Sequence, residues 1–139
     1  MRLLLGTNVL VAAIAADGLC RDLVRRRVLG HTLITSEYLL AEFLEVMART
    51  FELTAEDIPL FAAYRDRAEI VSPAPLAARV CADPDDDNVL AAAIAGGADG
   101  IITGGADLLI LGAYAGVSIL TPRGFVERMD RPHSGDPIG

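Results

Sequence analysis

Five short apolar stretches recur along this chain, and helical patterns separate them. They are Leu3–Leu5, His31–Thr35, Ile70–Val71, Ile101–Thr103 and Val117–Leu120. Parallel strands need a long crossover between them, usually a helix, whereas antiparallel strands can be joined by a tight turn. Alternation of this kind therefore predicts an α/β fold with a parallel sheet of about five strands, covered by helices on both faces. Crossovers in such sheets are right-handed. Ligands gather outside the carboxyl ends of the strands.

The intervening helices carry their own signals. One is expected over Cys20–Leu29, closed by Gly30 as a C-cap. Ser36 is placed to cap the next, which keeps Leu39, Leu40, Phe43, Val46 and Met47 on one face. Thr54 followed by Asp57 reads as a capping-box variant opening another helix. An Ala-rich helix follows Asp85–Asp87 and ends at Gly96-Gly97, and Pro122 opens the last at its favoured first position. Residues 1–128 read as one domain, and residues 129–139 as a flexible tail rich in Pro and Gly.

Composition narrows the classes. With 139 residues, 53% of them apolar, and a mean hydropathy of +0.42, the chain can bury one core. No apolar run approaches the roughly 18–20 residues that span a bilayer. The opening Met1–Gly6 reads as a buried strand rather than a signal peptide, because Thr7 and Asn8 interrupt it and no convincing cleavage site follows. Cys20 and Cys81 are too few and too far apart for a disulfide framework or a zinc site, as expected of free thiols in the cytoplasm. Net charge is −7, and all 12 basic residues are Arg. Such a balance does not advertise nucleic-acid binding, although an acidic metal site contributes to it. Arg21, Arg25, Arg26 and Arg27 form the one basic cluster. It reads either as a solvated helix face or as a contact for RNA or a partner.

The acids are the stronger signal. Asp83, Asp85, Asp86 and Asp87 fall within five residues at a helix start, where one or two would complement the helix dipole. Asp107 follows a different strand, and Glu42 lies on a helix able to face the same crevice. Carboxylates converging from distant segments repel one another unless a cation lies between them. Mg²⁺ and Mn²⁺ prefer such oxygen ligands and support phosphodiester hydrolysis. Other motifs fail. An EF-hand counted from Asp83 would need Gly at position 88 and Glu at 94, which are Asn and Ile. There is no P-loop and no G-x-G-x-x-G. His31 and His133 are isolated, so no Ser-His-Asp arrangement can be built on them.

Four stretches together carry a family resemblance. Leu3-Leu4-Leu5-Gly6-Thr7-Asn8-Val9-Leu10 resembles the opening of PIN-domain nucleases, an apolar strand running into Asp-Thr-Asn-Val-Leu. Thr35-Ser36 with Leu40-Ala41-Glu42 is similar to the second motif and its helix-borne Glu. The run from Asp83 to Ala93 resembles the third, whose metal-binding Asp maps to Asp87. Ala98 to Leu109 resembles the fourth, usually Thr-Gly-Asp-Arg/Lys-Asp-Leu-Leu. The likeness extends over about residues 1–128 and is strongest to the VapC-like ribonuclease toxins of bacterial toxin–antitoxin pairs. It implies a three-layer PIN-like sandwich, Mg²⁺ or Mn²⁺, RNA as substrate, a cognate antitoxin and a homodimer. The metal and catalytic residues it implies are Glu42, Asp87 and Asp107, with Thr7, Asn8 and Thr103 as supporting polar groups.

Two positions depart from the pattern. Gly6 and Gly105 stand where the resemblance calls for Asp, and Ala106 stands where it calls for a basic residue. Glycine has no side chain to ligate a metal. The expectation is therefore weak metal affinity and strongly reduced cleavage. The alternative is a non-catalytic PIN-fold module that binds an antitoxin or RNA.

Overall fold

A computed structural model describes residues 1–131. The chain runs β1 (Arg2–Leu5), α1 (Thr7–Ala15), α2 (Leu19–Asp22), β2 (Thr32–Ser36), α3 (Glu37–Phe51), α4 (Pro59–Arg67) and β3 (Glu69–Val71). It continues with α5 (Pro84–Ala95), β4 (Gly100–Ile102), α6 (Ala106–Leu111), β5 (Ala113–Tyr114), β6 (Val117–Leu120) and α7 (Pro122–Asp130). The strands form one sheet in the order β3-β2-β1-β4-β6-β5. All pairings are parallel except β5 with β6. The five expected strands are thus present, and a sixth joins them.

Burial on both sheet faces follows from the strand period of two. Leu3 and Leu5 point into one core with Leu10, Phe43, Met47, Phe61 and Phe125. Leu4, between them, points into the other with Ile34, Leu90, Ala92, Ile101 and Ile119. Three layers result: α1, α3, α4 and α7 supply side chains to the first core, and α5 and α6 to the second.

Local signals mostly act as expected. The Ser36 hydroxyl accepts from the Leu39 N–H and so starts α3. Gly30, expected as the C-cap, is not one: the helical segment ends at Arg27 with Val28 as its cap, and Gly30 takes φ +86° in the turn that follows. The helix expected over Cys20–Leu29 is shorter as an α-helix, because Leu23–Arg27 winds as a π-helical turn. Thr54 and Asp57 do form a capping box, but it closes only a 3₁₀ turn, Ala55–Asp57. Pro59 then begins α4 as its first residue. α1 and β5 had no sequence expectation. β5 exists because Ala115 and Gly116 both take positive φ, 50° and 83°, which folds Tyr114 back onto Val117 in a two-residue hairpin. Met129 and Asp130, assigned to the tail, close α7 instead; residues 132–139 and His133 lie outside the described residues. Among the described residues, no helix is long and apolar enough to cross a membrane.

β1 and β4 are neighbours, yet the chain leaves β1 toward β2 and β3 and returns to β4 on the other side. Connections therefore diverge between these two strands, and a crevice opens at their carboxyl ends.

Candidate active site

Gly6 directly follows β1, and Gly105 follows β4 by way of Thr103 and Gly104. Each is the N-cap of the next helix, α1 or α6, and neither supplies a side-chain cap. Their backbones are ordinary extended ones, φ −66° and −74°, which any residue adopts. N-cap positions favour Asp, Asn, Ser or Thr. A Cβ on Gly6 would lie 3.0 Å from Asn8 Oδ1, 3.2 Å from Thr103 Oγ1 and 3.3 Å from the Ile102 carbonyl oxygen. A Cβ on Gly105 would meet only Thr103 Oγ1, at 3.4 Å. The Asn8 carboxamide fills the gap between the two loops, with Nδ2 3.0 Å from where a Gly104 Cβ would stand.

These glycines border a cleft of about 660 Å³. Thr7 and Asn8 on α1 line one wall, and Tyr38, Glu42, Glu45 and Arg49 on α3 another. Asp83, Asp85 and Asp86 enter from the start of α5, and buried Thr103 lies at the base. Thr7 Oγ1 donates to Glu42 Oε1 at 2.6 Å, and Thr103 Oγ1 accepts from the Gly105 N–H at 3.0 Å. The polar residues expected at the strand ends, Thr7, Asn8 and Thr103, are therefore brought together with Glu42.

The acids at the start of α5 divide their work. Asp83 caps the helix by accepting from the Asp85 N–H, and Asp85 accepts from the Tyr38 hydroxyl at 2.6 Å. That bond, with burial second, pushes the Tyr38 phenol up to about 12. Burial raises the Asp86 carboxyl above its ordinary value, and the charges of Asp83, Asp107, Asp85 and Glu42 raise it further. Asp86 is thus the acid that feels the others.

Asp87 is turned elsewhere. Its carboxylate accepts from the Cys81 N–H at 2.7 Å and the Val80 N–H at 3.1 Å. Burial alone would raise its pKa, but these donors, the Cys81 thiol and Arg79 together hold it below the ordinary range. The reason is helical geometry. Successive residues stand about 100° apart around α5, so Asp85 and Asp86 line the cleft while Asp87, a further 100° on, is carried past it to the Val80 and Cys81 N–H groups. Asp87 fastens the loop before α5. Asp107, in the first turn of α6, is not among the residues lining the cleft, although its charge reaches Asp86 and Cys81.

The arginine cluster does not converge on the cleft. Arg21 donates to the Ala13 and Ile14 carbonyls at 2.8 and 2.9 Å and pairs with Asp17, closing the end of α1. Arg26 pairs with Asp22, and Arg27 with Asp22 and Asp130. Arg25 alone is exposed with no ion pair among the described residues. His31 stacks edge-on against Phe125 and contacts the Met1 amino group, at the other end of β2 from the site. Tyr38, Glu45 and Arg49 had no functional expectation. Their signal was the spacing of three and four residues that puts them in line with Glu42.

A mostly parallel sheet between two helical layers, with a carboxylate-lined cleft at its switch point, defines a doubly wound α/β domain. The chain belongs to the PIN domain family, whose model matches residues 2–107. Among solved structures it is similar to VapBC2 from Rickettsia felis bound to a DNA fragment from their promoter. The TM-score is 0.61 with 16% identity, covering 87% of this chain and 98% of that one. No curated protein matches it. PIN domains are generally divalent-metal-dependent nucleases. The oxygen donors here are right in kind for a hard cation. They are wrong in arrangement: among the described residues, no three His, Cys, Asp or Glu side chains converge closely enough to hold one. The residues as they stand do not fit a preformed metal centre.

Proposed function

We propose that this chain is a PIN-domain ribonuclease-type toxin of a toxin–antitoxin pair, with RNA cleavage strongly reduced. One observation carries this reading: the two N-cap positions that meet at the ends of β1 and β4, beside Asp86 and Glu42, are both glycine. In a complete site, Mg²⁺ or Mn²⁺ would supply a hydroxide nucleophile and neutralise charge on the phosphate. Here Asp86, in place of Asp87, lines the cleft with Glu42, Asp107 stands near enough for its charge to reach Asp86, and Thr7, Asn8 and Thr103 support them, but among the described residues these acids are not gathered into a metal centre. The likeness to a VapBC2 complex favours a protein antitoxin as partner. The same reading takes a homodimer as the assembly and the cytoplasm as the compartment, with Arg25 the member of the arginine cluster left open to a partner or RNA.

The test is cleavage of a structured RNA pool in Mn²⁺ and in Mg²⁺, with this chain beside its Gly6→Asp, Gly105→Asp version. Only the double variant is expected to cut. In that background Asp86→Asn should abolish cutting and Asp87→Asn should leave it. Equal cutting by the unaltered chain would overturn the claim of impairment. The second reading, a non-catalytic module holding an antitoxin or RNA, rests on the same two glycines in an otherwise intact cleft. It moves ahead if neither version cuts.

A further inference from the structure

The cleft extends beyond its acids. α3 turns one face to it, along which Tyr38, Glu42, Glu45 and Arg49 follow at spacings of three and four residues. Tyr38 and Arg49 stand eleven helical steps apart, which makes this face about 16 Å long, enough for a few nucleotides. Tyr38 is 46% exposed, and its ring has no aromatic partner among the described residues. Its hydroxyl is tied to Asp85 at 2.6 Å, which holds the ring at the rim. A fixed, solvent-facing aromatic ring is a surface on which an unpaired base stacks. Arg49 stands at the far end, the one cation among the residues lining the cleft. Its 3.2 Å pair with Glu45 is 66% and 73% exposed. Such a pair holds weakly, so the guanidinium can exchange the carboxylate for a phosphate at small cost.

We infer that this face of α3 is a track for single-stranded RNA, with a base stacked on Tyr38 and a backbone phosphate on Arg49. Glu42 and Glu45 lie between the two anchors. Glu42 belongs to the acidic site, and Glu45 beyond it presents an acceptor to the amino groups of base edges. The inference rests on RNA as the substrate class and adds the residues that position it.

Fluorescence anisotropy of a labelled eight-nucleotide single-stranded RNA of mixed sequence, in Mg²⁺ with the unaltered chain, tests it. Tyr38→Ala and Tyr38→Leu should each weaken binding about 5- to 100-fold, while Tyr38→Phe, which keeps the ring, stays within about threefold. Arg49→Ala should weaken binding and lower the salt-dependence slope by about 0.7. Thermal melts accompany each variant to show that it folds. Unchanged binding by folded Tyr38→Ala and Tyr38→Leu overturns the platform, and an unchanged slope for Arg49→Ala overturns the phosphate contact. If the unaltered chain binds no oligomer the track is refuted. Cleavage by the Gly6→Asp, Gly105→Asp protein then decides separately whether RNA remains the substrate.

Discussion

Restoring carboxylates at Gly6 and Gly105 should make the fold weaker without metal and dependent on metal for its recovery. Both positions are N-caps with extended backbone, so the new Asp side chains meet no conformational barrier and gain a few tenths of a kcal/mol each as caps. At Gly6 the flexible Asn8 carboxamide must give way, since its Oδ1 lies 3.0 Å from the new Cβ. Against that small gain stands repulsion. Asp86 already feels four neighbouring acids, and two carboxylates some 6 Å apart in a wet cleft repel by about 1 kcal/mol. Two added acids create two to four such pairs, a net loss of about 2–3 kcal/mol. For a chain of this size about 1 kcal/mol shifts the melting temperature by roughly 4 °C, so the double variant should melt about 8–12 °C lower in chelator. Mn²⁺ at a hundred times its Kd returns about 2.7 kcal/mol, which restores most of that loss. The assay is a thermal melt of both proteins in chelator and across a Mn²⁺ titration. The unaltered chain should move by no more than about 1 °C. A double variant that melts no lower in chelator, or an unaltered chain that rises equally with Mn²⁺, would refute the reasoning.

Asp86→Asn should stabilise the metal-free protein near neutral pH. The native Asp86 keeps its proton to higher pH than the unfolded chain does, so stability falls as pH rises from the ordinary carboxylate range through the raised value. Denaturant midpoints across pH should show a gain that disappears below the ordinary Asp pKa; a gain confined to low pH would reverse the assigned sign. Arg21→Ala should cost about 1–2 kcal/mol, because it frees the Ala13 and Ile14 carbonyls that end α1. Urea unfolding measures this, and unchanged stability with weakened RNA or partner binding would return Arg21 to the role of a surface contact.

The legible parts of the molecule were those written in neighbouring residues. The five parallel strands, the Ser36 cap, the stop at Gly96-Gly97 and the Pro122 start all depend on local pattern, and each took its expected place. So did the crevice, because alternation implies crossovers and crossovers imply a switch point. β5 was illegible because two residues hold no periodicity, and its hairpin depends on a positive φ at Ala115 that Ala rarely adopts. The α1 helix was overlooked because Val9, Leu10, Val11, Ala12 and Ala13 run together with no polar face to mark a helical period.

By itself the sequence determined the class of fold, the family and the absence of side chains at positions 6 and 105, since these are matters of residue type and order. Only the tertiary structure decided which acids face the cleft. Asp85, Asp86 and Asp87 are chemically identical and adjacent, and a motif can slide by one among them. The helix phase of α5, with the Val80 and Cys81 N–H groups waiting on one side, turns Asp87 to the loop and leaves Asp85, tied to Tyr38, and Asp86 to the cleft. The structure likewise assigned the arginines, because an ion pair with Asp130 or a bond to the Ala13 carbonyl joins residues that no local pattern brings together.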